Sequence, residues 1–156
     1  MEAKNIKAMM IIEVLGKPPE HLIETLENII KQIDEEKGVN IIEKKIKKPT
    51  ILKKSENSQE KSGKEQDFYT TFAEIEVEVE EILILATLMF KYMPAHIEII
   101  SPELIALTNN GWNDVLNEIT RRLHGYDELA RVIQVEKGIL EKKLRELSDG
   151  KKEEEK

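Results

Sequence analysis

The last quarter of the chain, residues 112–147, carries apolar side chains at a spacing that alternates between four and three residues. Lys137 is the one position out of eleven that breaks the apolar pattern. No proline interrupts the stretch, so it predicts a single helix of ~54 Å at ~1.5 Å of rise per residue. A sustained 3.5-residue repeat keeps its apolar stripe against a partner helix by left-handed supercoiling, which is typical of a coiled coil. We call this stripe the seam; it consists of Trp112, Leu116, Ile119, Leu123, Tyr126, Ala130, Ile133, Lys137, Leu140, Leu144 and Leu147.

Two partners fit the seam: the protein's own sheet, or the same helix of a second copy. The first half has further apolar residues off the seam, Val115, Leu129 and Val132, which favours docking on a broad surface. The second half is narrower and includes Lys137, as a two-stranded coiled coil tolerates. We therefore expect the first half to dock on its own domain and the second half to pair in a homo-oligomer, with a dimer as the expected form. The predicted oligomer interface is Ile133, Lys137, Leu140, Leu144 and Leu147.

The first third of the chain predicts a strand, a helix and a second strand. Residues 8–15 form a compact apolar run that ends at Gly16 and a proline pair, which favours a strand. Apolar residues then recur at helical spacing over residues 19–36, as in an amphipathic helix. Residues 39–46 predict the second strand.

The middle of the chain predicts a loop, two more strands and a second helix. Residues 47–66 are rich in Lys, Ser, Glu and Gln and predict a flexible loop. Alternation of apolar residues with glutamate returns over residues 68–79, which is typical of a half-buried strand. An apolar helix over residues 80–92 and a short strand over residues 95–101 follow.

This order, β-α-β-β-α-β followed by a long helix, predicts an α+β fold with a ferredoxin-like antiparallel sheet. We expect a ferredoxin-like domain over residues 6–105, a long C-terminal helix of the heptad type over residues 111–148, and a charged, disordered tail over residues 149–156. If residues 93–105 were loop and helix instead, the sheet would keep three strands.

One face of such a sheet packs the helices, and the other is open to solvent or covered by another surface. The open face is expected to carry a row of three glutamates from one strand, Glu74, Glu76 and Glu78. It is also expected to carry apolar residues of the first strand, Met9, Ile11 and Leu15. A central strand that is apolar on both faces usually has something lying over it. The expected cover is the long helix or a second copy of the sheet.

Composition narrows the class of protein. Charged residues make up 35% of the chain and cysteine is absent, which excludes disulfides, thiol nucleophiles, iron–sulfur clusters and cysteine-ligated zinc. The abundance of Lys, Glu and Ile resembles that of proteins from organisms that live at high temperature, although a low-GC genome gives a similar bias. The formal net charge of −7 argues against nucleic-acid binding by the whole surface. No signal peptide and no span of ~18 apolar residues is evident, so we expect a cytoplasmic protein that does not bind membranes.

The sequence offers no residue that we predict to be catalytic, cofactor-binding or metal-ligating. His21, His96 and His124 lie on separate predicted elements without ligand-like spacing. The glutamate row is more typical of a salt-bridged, solvated surface than of a cation site, because a hard cation needs oxygens from several segments. There is neither a Gly-x-Ser-x-Gly element nor a glycine-rich phosphate loop. We therefore expect no cofactor and no enzymatic activity.

A basic run is the strongest signal for nucleic acid in this chain. Its candidate contact residues are Lys44, Lys45, Lys47, Lys48, Lys53 and Lys54. Ferredoxin-like sheets bind RNA by stacking bases on aromatic side chains, but aromatic residues make up only 4% of this chain. Nucleic-acid binding is therefore an alternative that the composition does not favour, and a solvated lysine-rich loop is the other interpretation.

The segment Gly16-Lys17-Pro18-Pro19-Glu20, followed by an amphipathic helix, resembles ACT-type amino-acid-binding regulatory domains over approximately residues 11–46. The resemblance implies a small-ligand-sensing regulatory module. The acidic residue often seen ahead of that loop is missing here, so no ligand-binding residue carries over.

Together, these patterns predict a non-enzymatic, self-associating adaptor or regulatory protein. It would act through helix–helix and sheet-face contacts with a protein partner that the sequence does not identify. The alternatives are the ACT-like module and an RNA-associated protein that uses the basic segment 44–54.

Overall fold

The fold comprises one sheet and three helices. The computed structural model describes residues 5–52 and 68–154. Within that part of the chain, five strands form one antiparallel sheet, accompanied by three helices. The α+β class and the long C-terminal helix are therefore confirmed. In chain order the elements are β1 (Ile6–Gly16), α1 (Pro19–Asp34), β2 (Val39–Ile46), β3 (Thr50–Ile51), β4 (Tyr69–Val79), α2 (Ile82–Tyr92), β5 (His96–Ser101) and α3 (Asn109–Glu154).

Two long strands form the centre of the sheet. The strand order is β2-β4-β1-β5, and the short β3 pairs with β4. Every pairing is antiparallel, with Met10 opposite Ile75 at the centre and Ile41 opposite Val77 toward the β2 edge. β1 and β2 are both antiparallel to β4 and lie on either side of it, so they run parallel to each other. By the same argument, β4 and β5 run parallel on either side of β1.

One face of the sheet packs against α1 and α2 in a single core. Alternate residues of β1 and β4 point to this face, because successive side chains of a strand alternate. Apolar residues of α1 spaced three and four apart turn toward it as well. Burial of this apolar surface is the main source of stability for the fold. The core residues are Ile6, Ala8, Met10, Ile12, Leu26, Ile30, Ile33, Ala73, Ile75, Val77, Val79, Leu85 and Leu88.

The C-terminal ends of α1 and α2 are tied together by Glu36, which lies two residues after α1. The Tyr92 hydroxyl donates a hydrogen bond to Glu36 Oε1 at 2.6 Å. The Lys91 ammonium pairs with the same oxygen. The contact therefore fixes the spacing of the two helix ends on the sheet face.

Part of the predicted loop 47–66 is a strand. In β3, Thr50 pairs with Thr70, and the Leu52 N–H donates to the Phe68 carbonyl at 2.8 Å just beyond it. A two-residue strand is too short to show an alternating pattern in the sequence. It is recognised only from its pairing with β4. The rest of that loop, residues 53–67, lies outside the described residues.

α3 is longer than its predicted range of 111–148. It runs Asn109–Glu154 and so includes most of the segment 149–156 that we expected to be a disordered tail. Lys and Glu are good helix formers, and no proline is present to stop the helix. Among the described residues, α3 included, no helix is both long and apolar enough to cross a membrane.

The chain divides into two compact units, and the division falls within α3. The first unit, Met1–Val115, contains the sheet, α1, α2 and the first turns of α3, and Val115 is buried there. The second unit, Leu116–Lys156, contains the remainder of α3.

Candidate assembly interface

The second unit exposes the seam of α3. All five residues of the predicted oligomer interface lie on it, and among them Ile133 is 54% exposed and Leu147 is 68% exposed. Soluble proteins rarely expose a long row of apolar side chains, so the seam is the candidate contact surface of this unit. The exposed apolar seam residues of this unit are Leu116, Leu123, Tyr126, Ile133, Leu140, Leu144 and Leu147.

The ion pairs described for α3 lie outside the seam, except for the one that Lys137 makes with Glu141. Glu118 accepts hydrogen bonds from Arg121 at 2.7 Å and from Arg122 at 2.8 Å. The hydrogen bond from Arg122, and then that from Arg121, holds the pKa of the Glu118 carboxyl below its usual range. Asp127 and Arg131 pair at 2.6 Å further along the helix. Pairs at this spacing support a solvated helix, so the polar sides of α3 are separate from its apolar seam.

Lys137 interrupts the seam. Its side chain is 74% exposed, and its Nζ lies 3.8 Å from Glu141 Oε1. A lysine at a seam position weakens helix pairing but selects the register and orientation in which its charge has a suitable neighbour. Lys137 is therefore the seam residue that discriminates best between possible pairings.

A second, shorter apolar stripe lies beside the seam. Leu129, Val132 and Ile139 are 56%, 53% and 51% exposed, and we call them the flank stripe. They share one side of the helix because they are spaced three and seven residues apart. The apolar residues Leu129 and Val132 are already evident beside the seam in the sequence. Ile139 adds a third, which the sequence also indicates because it follows Val132 by seven residues. Val135, 63% exposed, lies opposite the seam.

The outer face of the sheet combines apolar and acidic side chains. Met9 and Ile11 lie in the middle of β1, flanked by Glu76 and Glu74 of β4 and, on the other side, by Glu98 of β5. A shallow pocket of about 200 Å³ lies between residues of this face. Further exposed apolar residues on the same face are Leu15, Phe72 and Ile100. An apolar centre flanked by carboxylates complements a partner that presents apolar and basic side chains.

Lys45, one of the predicted nucleic-acid contacts, is engaged by acidic residues of this face. Its Nζ lies 3.0 Å from Glu43 Oε1 on the same strand. The hydrogen bond and charge of Glu43, followed by the charges of Glu74 and Glu76, raise the pKa of Lys45. The charge of Lys45 therefore balances neighbouring carboxylates of the outer face.

The other basic candidates are only partly brought together. Lys44 lies on the edge strand β2 opposite Ile75, so its side chain leaves the strand on the opposite face from that of Lys45. Lys53 and Lys54 lie outside the described residues. Within residues 5–52 and 68–154, the candidate lysines are thus divided between two faces of the sheet and the segment after β2.

Lys47 and Lys48 follow β2 and lie beside a pocket of about 460 Å³ that Phe72 also lines. The Lys47 N–H donates to the Phe72 carbonyl at 2.9 Å, and the buried Thr71 hydroxyl donates to the Lys47 carbonyl at 2.5 Å. The backbone of this segment is therefore held against β4. Lys47 and Lys48 are therefore the part of the basic run that lines one pocket together with an aromatic residue, and Glu13 lines the same pocket.

A larger pocket, of about 700 Å³, lies in the first unit. Glu80, Glu81 and Asp114 supply its acidic groups. Its apolar lining includes Ile6, Ile82, Leu104, Leu107 and Val115. The volume lies in the range of small-molecule sites. It is separate from the Gly16 loop on which the ACT-type resemblance rests.

The three histidines lie apart, on α1, β5 and α3. Each is 3.3–3.8 Å from a glutamate of its own element, in the pairs His21–Glu24, His96–Glu98 and His124–Glu128. In the part of the chain that the structure describes, no group of three or more His, Asp or Glu residues stands close enough to hold a metal ion.

A comparison with known protein families identifies the family of the chain. The model of the MJ0538 family matches residues 7–155. The chain belongs to the MJ0538 family. Neither a curated protein nor a solved structure matches it. The matched residues run through both units of the chain.

Proposed function

We propose that this MJ0538 family member is a non-enzymatic, self-associating adaptor or regulatory protein. The exposed apolar seam of α3 carries the proposal, because ion pairs occupy other sides of the helix. In a homo-oligomer, with a dimer as the expected form, Leu140 and Leu144 would leave water against a second copy. Fully burying a leucine side chain contributes about 1.5–3 kcal/mol, so a few such residues offset the cost of association. The lack of cysteine supports a cytoplasmic location.

The double variant Leu140→Asp with Leu144→Asp tests self-association. We expect its mass, measured by size-exclusion chromatography with multi-angle light scattering, to fall from that of an oligomer to that of one chain. Carboxylates in an apolar interface lose solvation without gaining a partner. Val135→Asp is the control, because it places a carboxylate on the opposite face of α3 and should leave the mass unchanged.

Circular dichroism of the same samples shows whether the sheet domain stays folded. A wild-type mass of one chain, or an oligomeric mass that survives the double variant, would contradict assembly through the seam.

The outer face of the sheet gives the proposed adaptor a second binding surface. Met9 and Ile11 supply its apolar centre, and the surrounding glutamates disfavour stacking on a second, equally acidic sheet. The partner that fits this face is a protein segment with apolar and basic side chains.

We further propose that the sheet domain is ferredoxin-like. The order β2-β4-β1-β5 supports this, since β1 and β2 run parallel on either side of β4, and β4 and β5 run parallel on either side of β1. Two β-α-β units interleaved in this way, with both helices on one sheet face, describe the ferredoxin-like arrangement. The short β3 extends it at one edge.

A small-ligand-sensing role is the first alternative, and the 700 Å³ pocket of the first unit favours it. Its acidic rim, with Glu80, Glu81 and Asp114, suits a ligand with an amino group and an apolar body. A rise in the thermal unfolding midpoint on addition of an apolar primary amine, lost in Asp114→Asn, would support it.

RNA association through Lys47 and Lys48 is the second alternative. The nearby Phe72 ring supports it, whereas the adjacent Glu74 and Glu76 oppose it. Salt-sensitive RNA binding that Lys47→Gln with Lys48→Gln abolishes would decide in its favour.

A further inference from the structure

We infer that the α3 helices of two copies pair antiparallel, in the register that overlaps residues 116–147 of both copies completely. This inference rests on the proposed self-association and adds the orientation and register of the second copy. It extends the interface of residues 133–147 expected from the sequence through the first half of the seam, because Leu116 and Leu123 are 55% and 56% exposed and not buried as docking would require. The evidence is a comparison of the parallel and antiparallel pairs. The two differ in the side chains that meet along the seam and in the charges that meet beside it.

The antiparallel register with full overlap uses every seam position of the second unit. Leu116 of one copy faces Leu147 of the second copy, and Leu123 faces Leu140. The spacing between seam residues alternates between four and three. When one helix is reversed, its spacings therefore match those of the other helix, and every seam residue faces another seam residue. Shifting the helices by a heptad leaves Leu116 without a seam partner in one direction and Leu147 without one in the other.

Lys137 separates this pairing from the parallel one. In an in-register parallel pair, Lys137 faces Lys137 of the second copy, so two ammonium groups share one interface layer. In the antiparallel register it faces Tyr126 instead, whose ring and hydroxyl accommodate a cation. The lysine also keeps its neighbour Glu141, 3.8 Å away on its own helix. The one charged seam residue is therefore accommodated in the antiparallel pair and opposed in the parallel pair.

Side-chain size supports the same orientation. A parallel pair places Ala130 against Ala130 of the second copy, which leaves a thin layer in the middle of the seam. The antiparallel pair places Ala130 against Ile133, so a small residue meets a large one in each of the two central layers. Alternation of small and large residues fills a helix interface at native density.

The charged residues that meet beside the seam also differ between the two pairs. In a parallel pair, Glu136 of each copy lies beside Glu141 of the other, and these like charges repel on both sides of the interface. In the antiparallel register Glu136 lies beside Leu129, and Glu141 lies beside Thr120. Reversing one helix therefore removes two repulsive contacts.

The contacts that favour the parallel pair are weaker. It brings Arg122 near Asp127, but these residues are already paired with Glu118 at 2.8 Å and Arg131 at 2.6 Å on their own helix. The antiparallel pair brings Arg122 near Lys143 at the flanks, a like-charge contact that the hydrogen bond of Arg122 to Glu118 weakens. The seam layers therefore decide the orientation.

Crosslinking of the full chain tests the inference, because the protein has no cysteine of its own. Leu123→Cys and Leu140→Cys are made separately, oxidised alone and oxidised after mixing. We expect a disulfide-linked product of two chains in the mixture and none in either variant alone, since only opposed positions bring Cβ atoms within about 4.5 Å. Val135→Cys, on the opposite face, is the control and should not crosslink with either variant.

The outcomes separate this inference from the proposed function. Linked chains in each single variant alone would show parallel pairing, which overturns the inference and leaves self-association standing. An oligomeric mass without any linked product would overturn the full-overlap register. A one-chain mass for the unmodified protein would overturn both. If a cysteine weakens association, Ile119→Cys mixed with Leu144→Cys reports the same register from neighbouring layers.

Discussion

At the scale of single residues, Glu36 shows how one charge contributes to the fold. Hydrogen bonds from Lys91 and then from Tyr92 hold the pKa of its carboxyl below the ordinary value of 4.5. Burial, and then the hydrogen bond to Glu36, raise the pKa of the Tyr92 hydroxyl well above its usual range. Both pKa shifts reflect one contact, in which an ionised Glu36 accepts hydrogen bonds from a neutral tyrosine and a charged lysine.

Glu36→Gln should lower the free energy of unfolding by about 1 kcal/mol at neutral pH, because Lys91 and Tyr92 lose an ionised acceptor in a partly exposed site. The folded-state pKa of Glu36 is lowered, so its contribution is fully present above the unfolded-state pKa. It is lost as the pH falls through the folded-state pKa. Urea denaturation between neutral pH and pH below 4 measures the difference between wild type and variant.

Glu35→Gln is the control for this prediction, because it removes a neighbouring carboxylate on the same turn and should change stability little. A Glu36→Gln deficit that persists unchanged in acid would show that the side chain acts through packing and not through its charge.

The contact of Glu36 also shows what the sequence cannot predict at this scale. Glu36 and Tyr92 are 56 residues apart, and nothing in the local pattern of either marks the other. The seam residues of α3 are predictable for the opposite reason. Their signal is a spacing within one helix, so Leu140 and Leu144 are found without any knowledge of tertiary structure.

At the scale of elements, the same distinction separates predicted from unpredicted structure. β4 and α1 are predictable because their alternation and helical spacing are properties of the segment alone. β3 is not, because two residues form a strand only through β4. The segment after Leu147 was expected to be disordered from its charge, but its Lys and Glu residues continue α3.

The junction between α1 and β2 depends on a glycine. Gly38 has a φ of 77°, which disfavours any L side chain, and its carbonyl accepts a hydrogen bond from the Glu80 N–H at 3.3 Å. A Cβ at this position would also lie 2.7 Å from Ile84 Cδ1, the movable end of a side chain. Backbone strain is therefore the larger cost of a substitution.

Gly38→Ala should lower the free energy of unfolding by about 1–2 kcal/mol, which is the cost of a left-handed conformation for alanine. The matched control is Gly138→Ala in α3, where a built Cβ meets nothing within 4 Å. That variant should not lower stability, since alanine favours a helix. Urea denaturation followed by circular dichroism compares the two, and equal losses would show that φ at Gly38 is not the cause.

At the scale of the whole molecule, strand order and assembly depend on contacts that no segment displays alone. The element order predicts the α+β class, whereas the order β2-β4-β1-β5 emerges only from pairing across the sheet. An antiparallel pair of α3 helices would bring both flank stripes, with Leu129, Val132 and Ile139, to one side. The pair would then offer that apolar side and the acidic sheet faces to other proteins, as an adaptor requires.

Lys137 gives the sharpest prediction at this scale, because it is expected to weaken the pair while selecting its orientation. Lys137→Leu should raise the thermal midpoint for loss of α3 helicity, since an apolar residue replaces a charge in the interface. It should also allow the parallel pair by removing the opposed lysines. Leu123→Cys combined with Lys137→Leu is therefore expected to form linked chains on its own, which Leu123→Cys without that change should not.

Lys142→Leu makes the same replacement off the seam and should alter neither the midpoint nor the crosslinking pattern. If Lys137→Leu raised the midpoint but left Leu123→Cys unlinked, the lysine would weaken the pair without setting its direction. Orientation would then have to come from Glu136 and Glu141 beside the seam, and replacing both with glutamine would be the change that admits the parallel pair.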